Sequence, residues 1–276
     1  MNVIDTITQI LSYPFMIRAL IGGLLISVSA AILGVSLVLK RYSMIGDGLS
    51  HVGFGALAIG AALNLAPLTV AIPVVVLAAF LLLRITESSK IKADAAIALI
   101  SAGALAIGIM VISMTTGMTV DVNNYMFGSI LALKDSDVIL CAILGIVVLA
   151  AYSYFYHRIF ALTFDEEFSK TLGLKTGRYQ MLIAALTAIV VVVGMKLMGA
   201  LLMSSFIIFP VQIALKLSKQ FKGVVMLSLI GSIVTFLSGM ILSFILATPT
   251  GASIVFMDVI LLIFVSFARF INKKRI

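Results

Sequence analysis

The chain has 276 residues, of which 62% are hydrophobic and only 11% are charged, and its mean hydropathy is +1.26. These values exclude an ordinary soluble globular domain and indicate a polytopic membrane protein. The formal net charge of +8 would suggest a nucleic-acid partner in a soluble protein, but in a membrane protein such charge collects in cytoplasmic loops, and we expect no nucleic-acid partner. Cys141 is the single cysteine, which excludes an intrachain disulfide.

Apolar runs of about 20 residues predict an all-α bundle of membrane-spanning helices, which we expect to form one domain over residues 1–276. The opening MNVIDTITQILSYPF has neither a basic region nor a small-residue cleavage site, so it predicts a short amphipathic helix ending near Pro14 rather than a signal peptide. Eight or nine spans are predicted, the lower number applying if the two segments around Met195 are one broken element. The segments are 14–40, 42–65, 67–84, 94–115, 137–156, 180–196, 198–215, 224–246 and 253–271.

The basic residues fall mainly on one side of the predicted bundle. With nine segments, all but three of the 19 Lys and Arg residues share a side, the exceptions being Arg18, Lys134 and Lys196. By the positive-inside rule this side is cytoplasmic, which predicts an N-terminus outside and a C-terminus inside. Eight segments would place part of this charge outside, so the charge pattern favours nine.

Two connections between spans are long enough to contain structure of their own. The outer connection, 115–137, has a short helical pattern at 124–133. The inner connection, 157–178, has a candidate cap, an acidic first turn, two apolar residues on one face and a glycine stop. These residues are Thr163, Asp165, Glu166, Glu167, Phe168, Leu172 and Gly173. The pattern predicts a short amphipathic helix, which is either a capped turn in a solvated loop or a docking element for a cytoplasmic partner.

The segment SMIGDGLSHVGFGALAIG, residues 43–60, places a carboxylate and an imidazole inside a predicted membrane helix. Residues four apart lie on one face of a helix, so Asp47 and His51 point the same way, with Ser43 and Ser50 flanking them. An ionised carboxylate at the bilayer centre costs about 2.5–3.5 kcal/mol, so such residues usually face a partner, a cavity or a pathway. Oxygen and imidazole ligands suit Zn²⁺, Mn²⁺ or Fe²⁺, and two ligands suit a weak, transient site. The alternative is a hydrogen-bonded pair that only joins two helices.

Other residues near the predicted spans are weaker candidates for a pathway. Asp94 begins a span and is more typical of a helix start, whereas Asp258 lies inside the last span and is more typical of a partner for a buried basic group. Gly46, Gly53 and Gly60 recur every seven residues and predict a face that another helix approaches closely.

Motifs for enzymatic chemistry are poorly supported. The chain contains no HExxH and no Walker A sequence, and in MIGDG the residue Met44 stands where the GxGD motif of intramembrane aspartyl proteases needs glycine. We therefore expect a transport protein and not an enzyme. Uphill transport would then need energy from another subunit or from an ion gradient.

The segment PFMIRALIGGLLISVSAAILGVSLVLKRYSMIGDGLSHVGFGALAIG, residues 14–60, resembles the N-terminal half of the membrane permeases of zinc and manganese ABC importers. In that family G-D-[AG]-[LI]-S-H follows a first segment that ends in basic residues. Four later blocks resemble the family in the same order, so the resemblance covers nearly the whole chain. These blocks are KIKADAAIALISAGALAIGIMVIS (90–113), NNYMFGSILAL (123–133), FDEEFSKTLGL (164–174) and VGMKLMGALLMSSFIIFPVQIA (193–214).

The resemblance implies a fold like that of type II ABC importers and a permease subunit for a divalent transition metal, zinc or manganese, with iron as a further candidate. It implies a homodimer, two cytoplasmic ABC ATPases, an extracytoplasmic metal-binding protein and a lipid environment in a bacterial-type plasma membrane, with no permanently bound cofactor. Asp47 and His51 match the family's Asp-x-x-x-His and would line the metal path. The segment from Phe164 to Leu174 would match the coupling helix that contacts the ATPase. From the residues alone, a stand-alone secondary transporter or cation channel with an Asp–His relay remains the alternative.

Overall fold

A computed structural model describes residues 12–88, 93–115, 128 and 133–273 of the chain. Within these ranges the chain forms eleven α-helices, nine of which have 18 or more residues. They are α1 Pro14–Leu39, α2 Ile45–Ala62, α3 Pro67–Ser88, α4 Ala93–Met114, α5 Asp135–Tyr154, α6 Tyr156–Phe164, α7 Glu166–Thr171, α8 Thr176–Met198, α9 Ala200–Leu217, α10 Phe221–Leu246 and α11 Thr250–Lys273. The predicted N-terminal helix and most of the predicted helix at 124–133 lie outside the described residues.

Eight helices in the described ranges are long and apolar enough to cross a membrane, namely α1, α3, α4, α5, α8, α9, α10 and α11. The ninth long helix is α2, which carries Asp47 and His51 and has most of its residues buried by neighbouring helices. The structure thus confirms the prediction of an all-α bundle with eight to nine spanning helices.

The segments around Met195 are two helices and not one broken helix. Helix α8 ends at Met198, and Gly199 then takes a φ of 91° and a ψ of 155°, a backbone region that is essentially restricted to glycine. The amide of Gly199 donates the last hydrogen bond of α8, to the carbonyl of Met195 at 2.8 Å. Helix α9 begins at the next residue, so Gly199 is the turn between two separate elements.

Contacts with α1 give the direction of α9 after this turn. A Cβ atom at Gly194, near the end of α8, would lie 2.2 Å from the sulfur of Met203 and 2.9 Å from Ile26 of α1. Further along α9, a Cβ atom at Gly34 of α1 would lie 2.4 Å from the carbonyl oxygen of Ile207. Residues further along α9 therefore contact residues further along α1, which shows that the two helices run parallel.

Burial differs strongly among the helices. About three quarters of the most apolar part of α1 and of α8 is buried (78% and 72%), whereas in α4 and α11 only 17% is buried. Helices α1 and α8 thus form the centre of the bundle, and α4 and α11 present most of their apolar surface outward. Cys141 of α5 is fully buried, with its sulfur close to Gly22 of α1.

The inner connection is mostly helical, and the prediction that Thr163 caps its second helix is wrong. Thr163 lies inside α6, where its hydroxyl donates to the carbonyl of Ile159 at 2.7 Å, because a threonine within a helix can bond the preceding turn. Asp165 has the extended backbone of an N-cap and accepts a hydrogen bond from the amide of Phe168 at 2.8 Å. Gly173 has a φ of 79° just after α7 and ends this helix as predicted.

Candidate functional site

Asp47 and His51 lie on one face of α2, as their spacing predicts. Nε2 of His51 is 3.7 Å from Oδ2 of Asp47, and the side chains are 25% and 42% exposed respectively. This distance is longer than a hydrogen bond, so the two groups do not form the closed pair that would only join two helices. They form an open pair of nitrogen and oxygen donor groups on a helix that is otherwise largely buried.

The hydroxyl that contacts Asp47 comes from a distant part of the chain. Ser50 is turned away from the pair and donates to the carbonyl of Gly46 at 2.8 Å, and Ser43 precedes the start of α2. Ser204 of α9 instead donates to Oδ1 of Asp47 at 3.2 Å. Sequence reasoning missed Ser204 because it is 157 residues from Asp47 along the chain.

Glycines on two faces allow α2 to lie deep in the bundle. The predicted face of Gly46, Gly53 and Gly60 meets three helices instead of one, since these residues lie against α9, α8 and the start of α3 respectively. Gly48 and Gly55, also seven residues apart, lie against α4. Side chains at these positions would collide with neighbours, so the glycines let four helices pack closely on α2.

Within the described ranges, no third His, Cys, Asp or Glu joins Asp47 and His51 to make a metal-binding group. Asp94 is exposed in the first turn of α4, as expected for a helix start. Asp258 is fully buried on α11, but Oδ2 accepts a hydrogen bond from the hydroxyl of Ser205 at 2.5 Å in place of the basic partner that the sequence suggests. Among the described residues of one chain, the pair therefore offers two groups that could bind a metal ion.

The inner connection presents a row of apolar side chains to its surroundings. Phe168 and Leu172, four residues apart at α7, are 59% and 62% exposed. Phe164 is also 59% exposed, but it ends α6 before the extended Asp165, and its ring packs against Phe160 and Phe221. Such a row on a short, otherwise polar segment is typical of a surface that a partner covers, and it favours a docking element over a solvated turn.

Glu166 ties α7 to the helix bundle. Its Oε2 accepts hydrogen bonds from Nζ of Lys40 at 2.9 Å and from Nε2 of Gln180 at 2.7 Å, while Oε1 lies 3.2 Å from Nζ of Lys170. Partial burial would by itself raise the pKa of Glu166, but the hydrogen bonds and charges of Lys40 and Lys170 outweigh it and lower the pKa below its ordinary value. Glu167, in contrast, points outward, and its recorded partner among the described residues is Lys170.

The fold and the site together define a class of protein. A bundle of apolar spanning helices, an open Asp–His pair on a buried helix and an exposed segment tied to one end of the bundle are features of a multi-pass membrane transport protein. The sequence profile of the ABC 3 transport family matches residues 12–269, so the chain belongs to this family.

Named membrane transport proteins match this chain over nearly their whole length. The high-affinity zinc uptake system membrane protein ZnuB of Haemophilus influenzae is 26% identical over 257 residues, which cover 93% of this chain and 98% of ZnuB. The manganese import system permease protein ScaB of Streptococcus gordonii is 29% identical over 267 residues, 95% of each chain. The solved structure of PsaBC from Streptococcus pneumoniae in complex with Fab has a TM-score of 0.85 and 26% identity, covering 96% of this chain and 95% of the other.

These findings confirm the resemblance to the ABC permeases. The chain is a membrane permease subunit of the ABC type, and the alternative of a stand-alone secondary transporter or channel is not favoured. The multi-pass membrane location follows from the spanning helices together with the family.

Proposed function

We propose that this chain is the permease subunit of an ATP-driven importer whose cargo is a divalent transition metal ion, zinc or manganese, with iron as a further candidate. The observation that carries the proposal is the open pair of Asp47 and His51 on a buried helix. Imidazole and carboxylate suit all three ions, and relatives are named for zinc uptake and for manganese import. The ion is cargo, so its site must also release it.

The incomplete ligand set supports a homodimer around the pathway. One chain offers Asp47 and His51, and two copies that meet at this face would offer four ligands to one ion. The partial exposure of both side chains fits a face that a second copy would cover. Imidazole and carboxylate groups suit both zinc and manganese, and affinity alone would follow the Irving–Williams order, so the choice of ion would rest largely on the extracytoplasmic protein that delivers it.

The remaining parts of the proposed importer follow from this arrangement. In the homodimer, each of two ABC ATPases would bind the inner connection of one permease domain through Phe164, Phe168 and Leu172. Domain closure driven by ATP would then reach the helices through the hydrogen bonds of Glu166. The permease would lie in a bacterial-type plasma membrane, with the N-terminus outside and the inner connection and C-terminus in the cytoplasm.

Metal uptake by variants of the complete importer tests the pathway. We expect Asp47→Asn and His51→Ala to abolish uptake of radioactive zinc and manganese while the complex still assembles. Ser50→Ala is the matched control on the same helix, because Ser50 bonds its own backbone and should leave uptake unchanged. Uptake at the normal rate by either site variant would overturn the role of the pair.

Reconstitution in liposomes tests the energy source. We expect the permease alone to be inactive, and the complex with its ATPases to transport metal only when ATP is supplied. Metal transport by the permease alone, without an ATPase, would establish the stand-alone alternative instead.

A further inference from the structure

Two neighbouring hydroxyls of α9 bond carboxyl groups on two different helices. Ser204 donates to Oδ1 of Asp47 on α2 at 3.2 Å, and Ser205 donates to Oδ2 of Asp258 on α11 at 2.5 Å. Successive residues of an α-helix point about 100° apart, so the two serines face different neighbours. Helix α9 is therefore held between Asp47, the carboxylate of the proposed metal path, and a second carboxyl that is fully buried.

Asp258 is attached to the bundle by a hydroxyl group. Its carboxyl is fully buried, Thr235 of α10 lies beside it, and within the described ranges Oδ1 has no hydrogen-bond partner and the carboxyl forms no ion pair. The basic residues of the two helices packed on α11 are Lys216 and Lys222, which lie roughly 16–20 Å along their helices from Ser205 and Thr235. The hydrogen bond from Ser205 is thus the short polar link between α11 and α9.

The rotation of α9 depends on such side-chain contacts. The helix is separated from α8 by the turn at Gly199, and Pro210 in its interior lacks the amide that would continue the hydrogen-bond ladder. The hydroxyl of Ser204 also has a second acceptor, the carbonyl oxygen of Ala200 at 3.3 Å. A hydroxyl has one hydrogen, and the carbonyl of Ala200 moves with α9, so a rotation that carried Ser204 away from Asp47 would leave Ser204 bonded to its own helix.

We propose that Asp258 is a positioning residue for the metal path. By holding Ser205, it sets the rotation of α9 that keeps the hydroxyl of Ser204 on Asp47. The inference rests on the proposed function, in which Asp47 is a ligand of the transported ion. A hydrogen bond to a ligating carboxylate orients it, and the loss of such a bond typically weakens metal binding about 10–100-fold.

The concentration dependence of metal uptake by the complete importer tests this role. We expect Asp258→Asn, Ser205→Ala and Ser204→Ala each to raise the KM for manganese or zinc by about tenfold, with little change in the maximal rate per assembled complex. Ser228→Ala is the control, because Ser228 is also buried but its hydroxyl has no partner among the described residues. If the Asp258→Asn variant does not assemble, Ser205→Ala tests the same role without changing a charged residue.

A double variant distinguishes positioning from general stabilisation. Because Asp258 would act through Ser204, adding Asp258→Asn to Ser204→Ala should raise the KM no further than Ser204→Ala alone. The inference would be overturned if the effects of the two changes on the KM multiplied. It would also be overturned if the variants lowered only the amount of complex and left the KM unchanged.

Asp47→Asn measured beside these variants separates the two proposals. Normal uptake by Asp47→Asn would refute the metal path and the positioning role together. Loss of uptake by Asp47→Asn with an unchanged KM in Asp258→Asn and Ser205→Ala would refute the positioning role alone.

Discussion

Nζ of Lys40 lies 2.9 Å from Oε2 of Glu166, which joins the residue after α1 to the first residue of α7. Only residues 41–44 separate Lys40 from α2, the helix that carries Asp47 and His51. A displacement of α7 therefore pulls directly on the segment that leads into the helix of the proposed metal path. Helix α7 is thus linked to α2 by the contact between Glu166 and Lys40 and by residues 41–44.

Removal of the Glu166 side chain should uncouple ATP hydrolysis from transport. Glu166→Ala deletes charge-assisted hydrogen bonds from Lys40 and Gln180, each worth about 1.5–3 kcal/mol, so α7 loses these polar links to the bundle. We expect the number of ions transported per ATP to fall strongly, as measured in liposomes with the complete complex. The matched control is Glu167→Ala, because the side chain of Glu167 is 85% exposed and its surface ion pair contributes little. Equal effects of the two changes would contradict this prediction.

The Glu166 attachment should weaken only in acid. Its pKa is lowered in the folded protein, so its stabilisation is complete above the ordinary glutamate pKa of about 4.3 and is lost as the pH falls through the lowered value. The chain has no tryptophan, so Phe168→Trp supplies a single fluorescent reporter on α7. We expect constant emission from pH 8 to 5 and a change below this range, which is absent when Glu166→Gln is added.

The cap of α7 should depend on Asp165. Asp165→Ala removes the acceptor for the amide of Phe168 and should destabilise this short helix by about 1 kcal/mol. Asp165→Ser retains a capping oxygen and should cost much less. Amide hydrogen exchange of α7 measures both, and equally fast exchange in the two variants would contradict the assignment of Asp165 as the cap.

The exposed apolar row should hold the ATPase. Burial of a phenylalanine contributes about 1.5–3 kcal/mol, so Phe168→Ser should weaken binding of the ATPase by roughly 10–100-fold. Copurification of the ATPase with the permease over a dilution series measures this loss. Glu167→Ser on the same helix is the control, and an equal loss in that variant would show that α7 itself had unfolded.

Close packing between α1 and α9 should make Gly34 intolerant of any side chain. The Cβ of Gly34→Ala would lie 2.4 Å from the carbonyl oxygen of Ile207, so backbones must separate at a cost of about 1–3 kcal/mol. Gly103→Ala is the matched control in α4, where a Cβ meets nothing within 4 Å. The midpoint of thermal unfolding in detergent should fall for Gly34→Ala only.

Much of this structure could be predicted from local sequence patterns, because helix spans and helix faces depend on residues close in sequence. The i and i+4 spacing of Asp47 and His51 was sufficient to predict their shared face, and hydropathy predicted the spans. The cap was misassigned because Thr163 and Asp165 both suit an N-cap, and the choice between them depended on how far α6 extends.

Contacts between distant segments could not be predicted in this way. Ser204 and Ser205 belong to an apolar run in which nothing local distinguishes a serine that bonds its own helix from one that reaches another. Their partners, Asp47 and Asp258, are defined only when α9 takes its place between α2 and α11. The sequence thus indicates the two carboxyl groups, whereas the structure is needed to show which serine donates to each of them.

The burial of Cys141 has a practical consequence for following the motions proposed above. Its thiol is the only one in the chain and is enclosed between α5 and α1, so reagents dissolved in water should not reach it in the folded protein. The natural chain is therefore a ready background for single-cysteine labelling. Spin labels or crosslinkers attached at introduced cysteines on α7 and α2 would report distances without removal of the native residue.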